Sequence, residues 1–188
     1  MATCAQIITY ALRMNRVIGS GKDATTAELA DGMIALQSLY DQWRTGGMFG
    51  DLEDVYLEDD DTAEEGKRYF VPTGVTLTAA TSVYDDNGVT RQPRDLALYE
   101  SLTEAGTHTA RLYDRTTWRN MTGLVQADEA PLSSRNAWGL AACLATSGGF
   151  VALFGAQADQ PTVALARHFL RNVMDKATTQ DKYTPDYF

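Results

Sequence analysis

The period of the apolar residues changes twice along this chain, and that limits the folds open to it. Residues 3 to 17 have helical spacing. Ile7, Ala11, Met14 and Ile18 follow one face, with Ile8 and Leu12 beside it. Gly19 and Gly21 are expected to stop this helix. Thr25-Thr26-Ala27-Glu28 then forms a capping-box pattern, in which a hydroxyl and a carboxylate each satisfy one orphan N–H of a new helix. Leu29, Met33, Leu36, Tyr40 and Trp43 recur on one face of that helix, and Gly46-Gly47 end it. The pattern predicts an antiparallel helix pair.

Between residues 68 and 125 the period shortens. RYFVP, GVTLTAA, SVYDDNGVTR, TARLYDR and TWRNMTGLV are short, rich in Val, Thr and Tyr, and broken by Pro, Gly and Asn. They predict four to six short antiparallel strands, with a hairpin turn at Asn87-Gly88. The segment DLALYESLTE, residues 95–104, is expected to be a helical turn or short helix. Ahead of this region, DLEDVYLEDDDTAEE places nine acids in fifteen positions. A calcium loop needs glycine at its sixth position, and counting from Asp59 that position is Glu64. A solvated acidic loop flanking a short strand at 55–57 is expected instead.

After Pro131 the helical period returns. Ser133 or Ser134 is the expected cap, and Ala137, Ala141, Ala142, Ala145, Gly148, Gly149 and Ala152 are small enough for close helix packing. The glycines are expected to kink or split this helix. Asp159-Gln160-Pro161 opens the last helix, whose expected buried stripe is Val163, Ala166, Leu170, Val173 and Ala177. The fold expected is mainly α, an antiparallel bundle of about four helices with a small antiparallel β-rich insertion and an extended C-terminal tail. The boundaries are 1–50 for the first helix pair, 51–128 for the insertion, 129–178 for the second pair and 179–188 for the tail.

The formal net charge of −9 argues against a protein that grips the DNA backbone, because such proteins recruit Lys and Arg to displace counterions. Cys4 and Cys143 are the only cysteines, so no disulfide framework and a reducing cytoplasm are expected. The start, MATCAQIITYALRMNRV, lacks the pattern of a signal peptide, and no run has the length and uniform apolarity of a membrane span. Gly19-Ser20-Gly21-Lys22 resembles half of a phosphate loop. Arg16 stands where the first glycine would be, and Asp23 where the hydroxyl would be. A helix connector with a solvated Lys22 is the expectation. His108 and His168 fit no catalytic or metal spacing, and no cofactor, metal or enzymatic activity is expected. Trp43 and Trp138, with Leu170, are expected to serve core or subunit packing.

The C-terminal YTPDYF carries three aromatic rings in six residues. Left in water they form a costly apolar patch, and the proline favours an extended chain suited to docking on a partner.

The layout resembles the head–tail adaptor family of tailed bacteriophages, also called head-completion or packaged-DNA-stabilisation proteins. Members begin with a helix, an IG-x-G turn and an acidic helix of pattern A-x-x-A-L-x-x-L-x-x-x-x-x-W. Ile18-Gly19-Ser20-Gly21 and the stretch Leu29 to Trp43 follow this pattern here, and ARLYDRTTW resembles the short strand before the last helix pair. The resemblance implies a structural virion protein made in the host cytoplasm. It implies a ring of copies, usually twelvefold, that binds the portal, extends the DNA channel and meets a downstream tail or stopper protein. Genomic DNA passes through without specific binding. Within the tail, Tyr183, Pro185, Asp186, Tyr187 and Phe188 become the expected portal contacts. The competing expectations are a virion-associated, cell-wall-degrading hydrolase using the 51–65 acids and a helical DNA-binding module.

Overall fold

The computed structural model describes residues 1–50 and 117–177 continuously and, between them, Leu96 and the strands given below. The chain is mainly helical with a small sheet. Its helices are α1 (Cys4–Met14), α2 (Thr26–Thr45), α3 (Ser133–Thr146), α4 (Gly148–Phe154) and α5 (Gln160–Ala177). The strands are β1 (Leu52–Asp54), β2 (Arg68–Val71), β3 (Tyr84–Asp86), β4 (Val89–Arg91), β5 (Leu98–Leu102), β6 (His108–Asp114) and β7 (Thr117–Asn120).

Two capping boxes start the first helix pair. Thr3 and Gln6 cap α1, and Thr25 and Glu28 cap α2. The second was legible in the sequence; Thr3-x-x-Gln6 carries the same signal. The Cys4 and Ala5 N–H groups, also orphaned at the start of α1, donate to the carbonyls of Asp128 and Gln126. The end of α1 departs from expectation. The helix stops at Met14, before either glycine, because Arg16 takes the left-handed conformation at φ 58°. Val17 N–H then reaches the Leu12 carbonyl and Arg16 N–H the Arg13 carbonyl. This is the Schellman pattern with arginine in the usual glycine place. At the end of α2, Gly47 at φ 74° does the same, with Met48 N–H on the Trp43 carbonyl.

The glycine connector is held by Arg13, whose Nε and Nη2 donate to the Lys22 carbonyl at 3.1 and 2.7 Å. Lys22 contributes its backbone, and its side chain is exposed. Lys22→Ala is therefore expected to leave thermal stability unchanged, whereas Thr25→Ala should cost about 1 kcal/mol in urea unfolding. The cap also sets an acid response. The Thr25 N–H, then its hydroxyl, hold the Glu28 carboxyl below its ordinary range. That stabilisation is present above the unfolded carboxylate value and is lost as pH falls through the lowered folded one.

The sheet order is β1-β2-β5-β6-β7. β5, β6 and β7 run antiparallel, as the short Val/Thr/Tyr segments predicted, but β1, β2 and β5 pair in parallel. β3 and β4 form a separate antiparallel hairpin closed at Asp86↔Val89, around the expected Asn87-Gly88 position. The expected strand at 55–57 lies outside the described residues. Within DLALYESLTE the expected helix is not found: Leu98–Leu102 is a central strand paired on both sides. Its Leu, Ala and Glu content favours helix, yet two ladders and burial of Leu98, Tyr99 and Glu100 outweigh that local preference. A strand buried on both faces shows no alternation to read.

α3 is the central helix, packing against α1 and α5. Leu96, Leu98, Ala110, Leu112 and Met121 join the same core as the helices, so these residues of the β-rich middle pack on the helices. α3 begins irregularly. Leu132 is left-handed at φ 66°, Asn136 is extended, and the Asn136 carboxamide oxygen accepts from Gly139 N–H at 3.0 Å. Asn136, not Ser133 or Ser134, is thus the working cap. Ser147 separates α3 from α4, capping α4 through Phe150 N–H, and the two axes bend by 67°. The expected split falls there. Asp159 caps α5 by accepting from the Thr162 N–H and hydroxyl. The buried stripe of α5 is Thr162, Ala166, Phe169 and Val173, while Val163 and Leu170 are only half-buried. No single described helix is long and apolar enough to cross a membrane.

Candidate interaction surfaces and the buried charge cluster

The densest polar chemistry lies where the sheet meets the helices. Asp114, at the end of β6, has a fully buried side chain. Its Oδ2 accepts from the Ser134 hydroxyl at 2.7 Å and from Leu132 N–H at 3.2 Å. Arg119 Nε of β7 stands 3.7 Å from Oδ2, and Arg135 Nε of α3 stands 3.7 Å from Oδ1. Arg119 also pairs with Glu129. In the β6–β7 ladder Asp114 is paired with Thr117 and Leu112 with Arg119, which puts Asp114 and Arg119 diagonally across from each other on one face. The cluster ties the hairpin to the left-handed residue that starts α3. A buried carboxylate between two guanidinium groups is an electrostatic clamp.

A second polar tie joins the end of α1 to the end of α3. Asn15, buried at the end of α1, donates from Nδ2 to the Ala145 carbonyl at 2.8 Å and the Ala156 carbonyl at 3.2 Å. It satisfies a C-terminal carbonyl of α3 that the helix cannot pair internally. Near the other end, the Tyr40 hydroxyl donates to the Pro131 carbonyl at 2.8 Å within the core.

Neither thiol is set up for chemistry. Burial pushes Cys143 up to about 12, and burial with the nearby Asp128 charge does the same for Cys4. The thiolate is the reactive form, so both stay inert while the fold is intact. In the native protein a thiol reagent at neutral pH is expected to titrate neither cysteine, and both after denaturation. The same shifts fix an alkaline limit. Stability from the two neutral thiols is full below 9.0, their ordinary value, and is lost as pH rises through about 12. No group of three or more His, Cys, Asp and Glu that could hold a metal occurs among the described residues. His168 is exposed on α5, 3.1 Å from Asn172 Nδ2, and His108 opens β6.

The residues expected to act in packing divide. Trp43 is buried, edge-on to Tyr40 at 5.8 Å and tilted toward Phe169 at 6.5 Å. Trp138 is not a core residue: it is 54% exposed and stacks on Tyr10 at 4.6 Å. It precedes Gly139, the position that faces α5, so the helical turn carries its ring to the surface. Leu170 lines an open groove of about 520 Å³ with Trp43, Met48 and Met174, between the end of α2 and α5. Tyr183, Pro185, Asp186, Tyr187 and Phe188 lie outside the described residues, as do the 51–65 acids apart from those in β1.

The outer side of α2 carries further apolar surface. Gln37 donates to the Met121 carbonyl at 2.7 Å and accepts from Leu124 N–H, which fixes the segment after β7 alongside α2. Ile34 and Val125 stand 64% and 57% exposed there. Asn15, Asp114, Arg119 and Arg135 were not singled out by sequence, because each partner is distant in the chain or reached across a turn. No family model matches the chain, and no curated protein matches it significantly.

Proposed function

We propose that this chain is the subunit of a head–tail adaptor ring in a tailed bacteriophage, a structural protein that binds the portal and extends the DNA channel. The observation that carries the reading is the N-terminal helix pair. The IG-x-G turn and the capped acidic helix that carries Trp43 in its last turn build a core from the residues that resemble the family's start. Two further features support it. Ile34, Val125, Trp138 and Met174 remain exposed on the helical body, as a subunit that packs against copies of itself requires. A net charge of −9 suits a channel wall that repels the DNA backbone. In this reading α1, α2, α3 and α5 form an antiparallel bundle, and 179–188 is an extended tail. Tyr183, Pro185, Asp186, Tyr187 and Phe188 dock on the portal, and the β-rich middle faces a downstream tail or stopper protein. Acidic subunits repel one another, so the free protein is monomeric and assembles on the portal.

The test is native mass measurement of the chain mixed with the portal protein of the same phage. A ring of copies on the portal is expected. Deleting 180–188 should abolish that complex and leave the melting temperature of the isolated chain nearly unchanged. A deletion that lowers the melting temperature by many degrees and spares binding would place the tail in the core. Cell-wall turnover abolished by a single Asp or Glu change would overturn the structural reading.

A further inference from the structure

In a chain of net charge −9, α5 contains no acid from Gln160 through Met174, yet it carries Arg167, His168 and Arg171. Ala164, Arg167, Arg171 and Met174 follow one exposed stripe at helical spacing. Among the described residues, neither arginine has an ion-pair partner. The outer face of α2 is the complement. Ala27, Ala30, Asp31, Ile34 and Ser38 are exposed, and Asp31 has no ion-pair partner among the described residues. The only cation of α2, Arg44, turns inward to Asp41 and Glu100 and is 13% exposed. Beside Ile34, open grooves of about 530 and 500 Å³ flank Met33 and Leu124.

We infer that the basic α5 stripe of one copy seats on the acidic-apolar outer face of α2 in a second copy. Arg167 and Arg171 face Asp31 and Asp41, and Met174 enters the groove beside Ile34. The second copy as occupant rests on the ring reading above; the pairing of faces rests on charge. An α5–α5 contact would oppose arginines, and an α2–α2 contact would oppose carboxylates. The two faces are distinct parts of one molecule. Ile34 is about 200° around α2 from Gly32, which packs on Ile8 of α1. Arg171 is likewise about 200° around α5 from Phe169, which packs on Gly139 of α3. Contact between unlike faces is heterologous, and repetition closes a ring or extends a filament.

Cysteines at Ala30 and Ala164 test this while keeping every charge; native Cys4 and Cys143 are buried. The full chain is treated with a flexible bismaleimide, at high protein concentration and low salt and again on the portal. Each single variant alone should stay monomeric. Mixing the two should give a dimer, and the double variant a ladder of multimers. Arg167→Glu with Arg171→Glu should abolish the ladder, and added salt should weaken it. Dimers from Ala30→Cys alone, or no ladder in either condition, overturn the proposed interface. If the chain still assembles on the portal without a ladder, this interface fails and the adaptor reading stands. A ladder without portal capture supports the interface and defeats the adaptor reading.

Discussion

Asp114→Ala is expected to cost roughly 3–5 kcal/mol, the range for removing one partner from a buried charge cluster. The carboxylate sits between two guanidinium groups, each with Nε 3.7 Å away, and accepts two hydrogen bonds. Alanine removes the anion from between the two cations. It also strips the buried Leu132 N–H of its acceptor. Leu132 is a non-glycine residue at φ 66°, a conformation that costs about 1 kcal/mol or more and persists only where its surroundings hold it. Without that bond the start of α3 loses the contact that fixes its entry angle. Asp114→Asn keeps one acceptor oxygen but loses the charge and turns the other oxygen into an NH2 donor facing a guanidinium, so a smaller loss of about 1–3 kcal/mol is expected. Equilibrium urea unfolding followed by far-UV circular dichroism separates the two. An alanine variant within about 0.5 kcal/mol of the parent, as ordinary surface changes are, would mean that the cluster holds nothing together.

What sequence reading captured here is local, and what it missed depends on distant partners. The α2 cap was legible because Thr25 and Glu28 are three residues apart and act on each other. The β3–β4 hairpin was legible because Asn-Gly between two short strands is a local turn signal. Asn15 bonds to carbonyls 130 and 141 residues away, and nothing near it in the chain marks it. β5 was misread because its residue types favour helix, while the ladders that make it a strand come from β2 and β6. Arg16 ended α1 before the glycines because two hydrogen bonds and the burial of Asn15 repay a left-handed arginine. Among the surfaces, Trp43 was placed correctly by its helical phase. For Trp138, expected in core or subunit packing, the small residues around it set the phase of α3 toward α5 and leave the ring outside the core. The charge asymmetry between α2 and α5 was present in the residues all along. It became informative once burial showed which of them face outward.

Gly139→Val should be strongly damaging to the helical core. A Cβ at Gly139 would lie 2.7 Å from Phe169 Cδ2, 2.8 Å from its Cβ and 2.9 Å from its Cγ. Phe169 is 2% exposed, and its Cβ is anchored to the α5 backbone, so swinging the ring relieves only part of the clash. α3 and α5 must move apart. Overpacking of this kind costs about 1–3 kcal/mol for a modest excess, and valine adds two methyl groups to a contact that excludes even one carbon. The valine variant is therefore expected at or above roughly 3 kcal/mol. Gly139→Ala should cost less, because alanine regains about 1 kcal/mol of helix propensity. Gly148 and Gly149 provide the contrast. Nothing lies within 4 Å of a Cβ at either position, and alanine there should be neutral or stabilise by up to about 1 kcal/mol. If the clash is the cause, Phe169→Ala combined with Gly139→Val should be less destabilising than the sum of the two single changes, giving a coupling of 0.5 kcal/mol or more by about the usual measure for contacting residues. Additive effects in that cycle, or a valine variant that melts with the parent, would show that the α3–α5 contact is looser than the glycine implies.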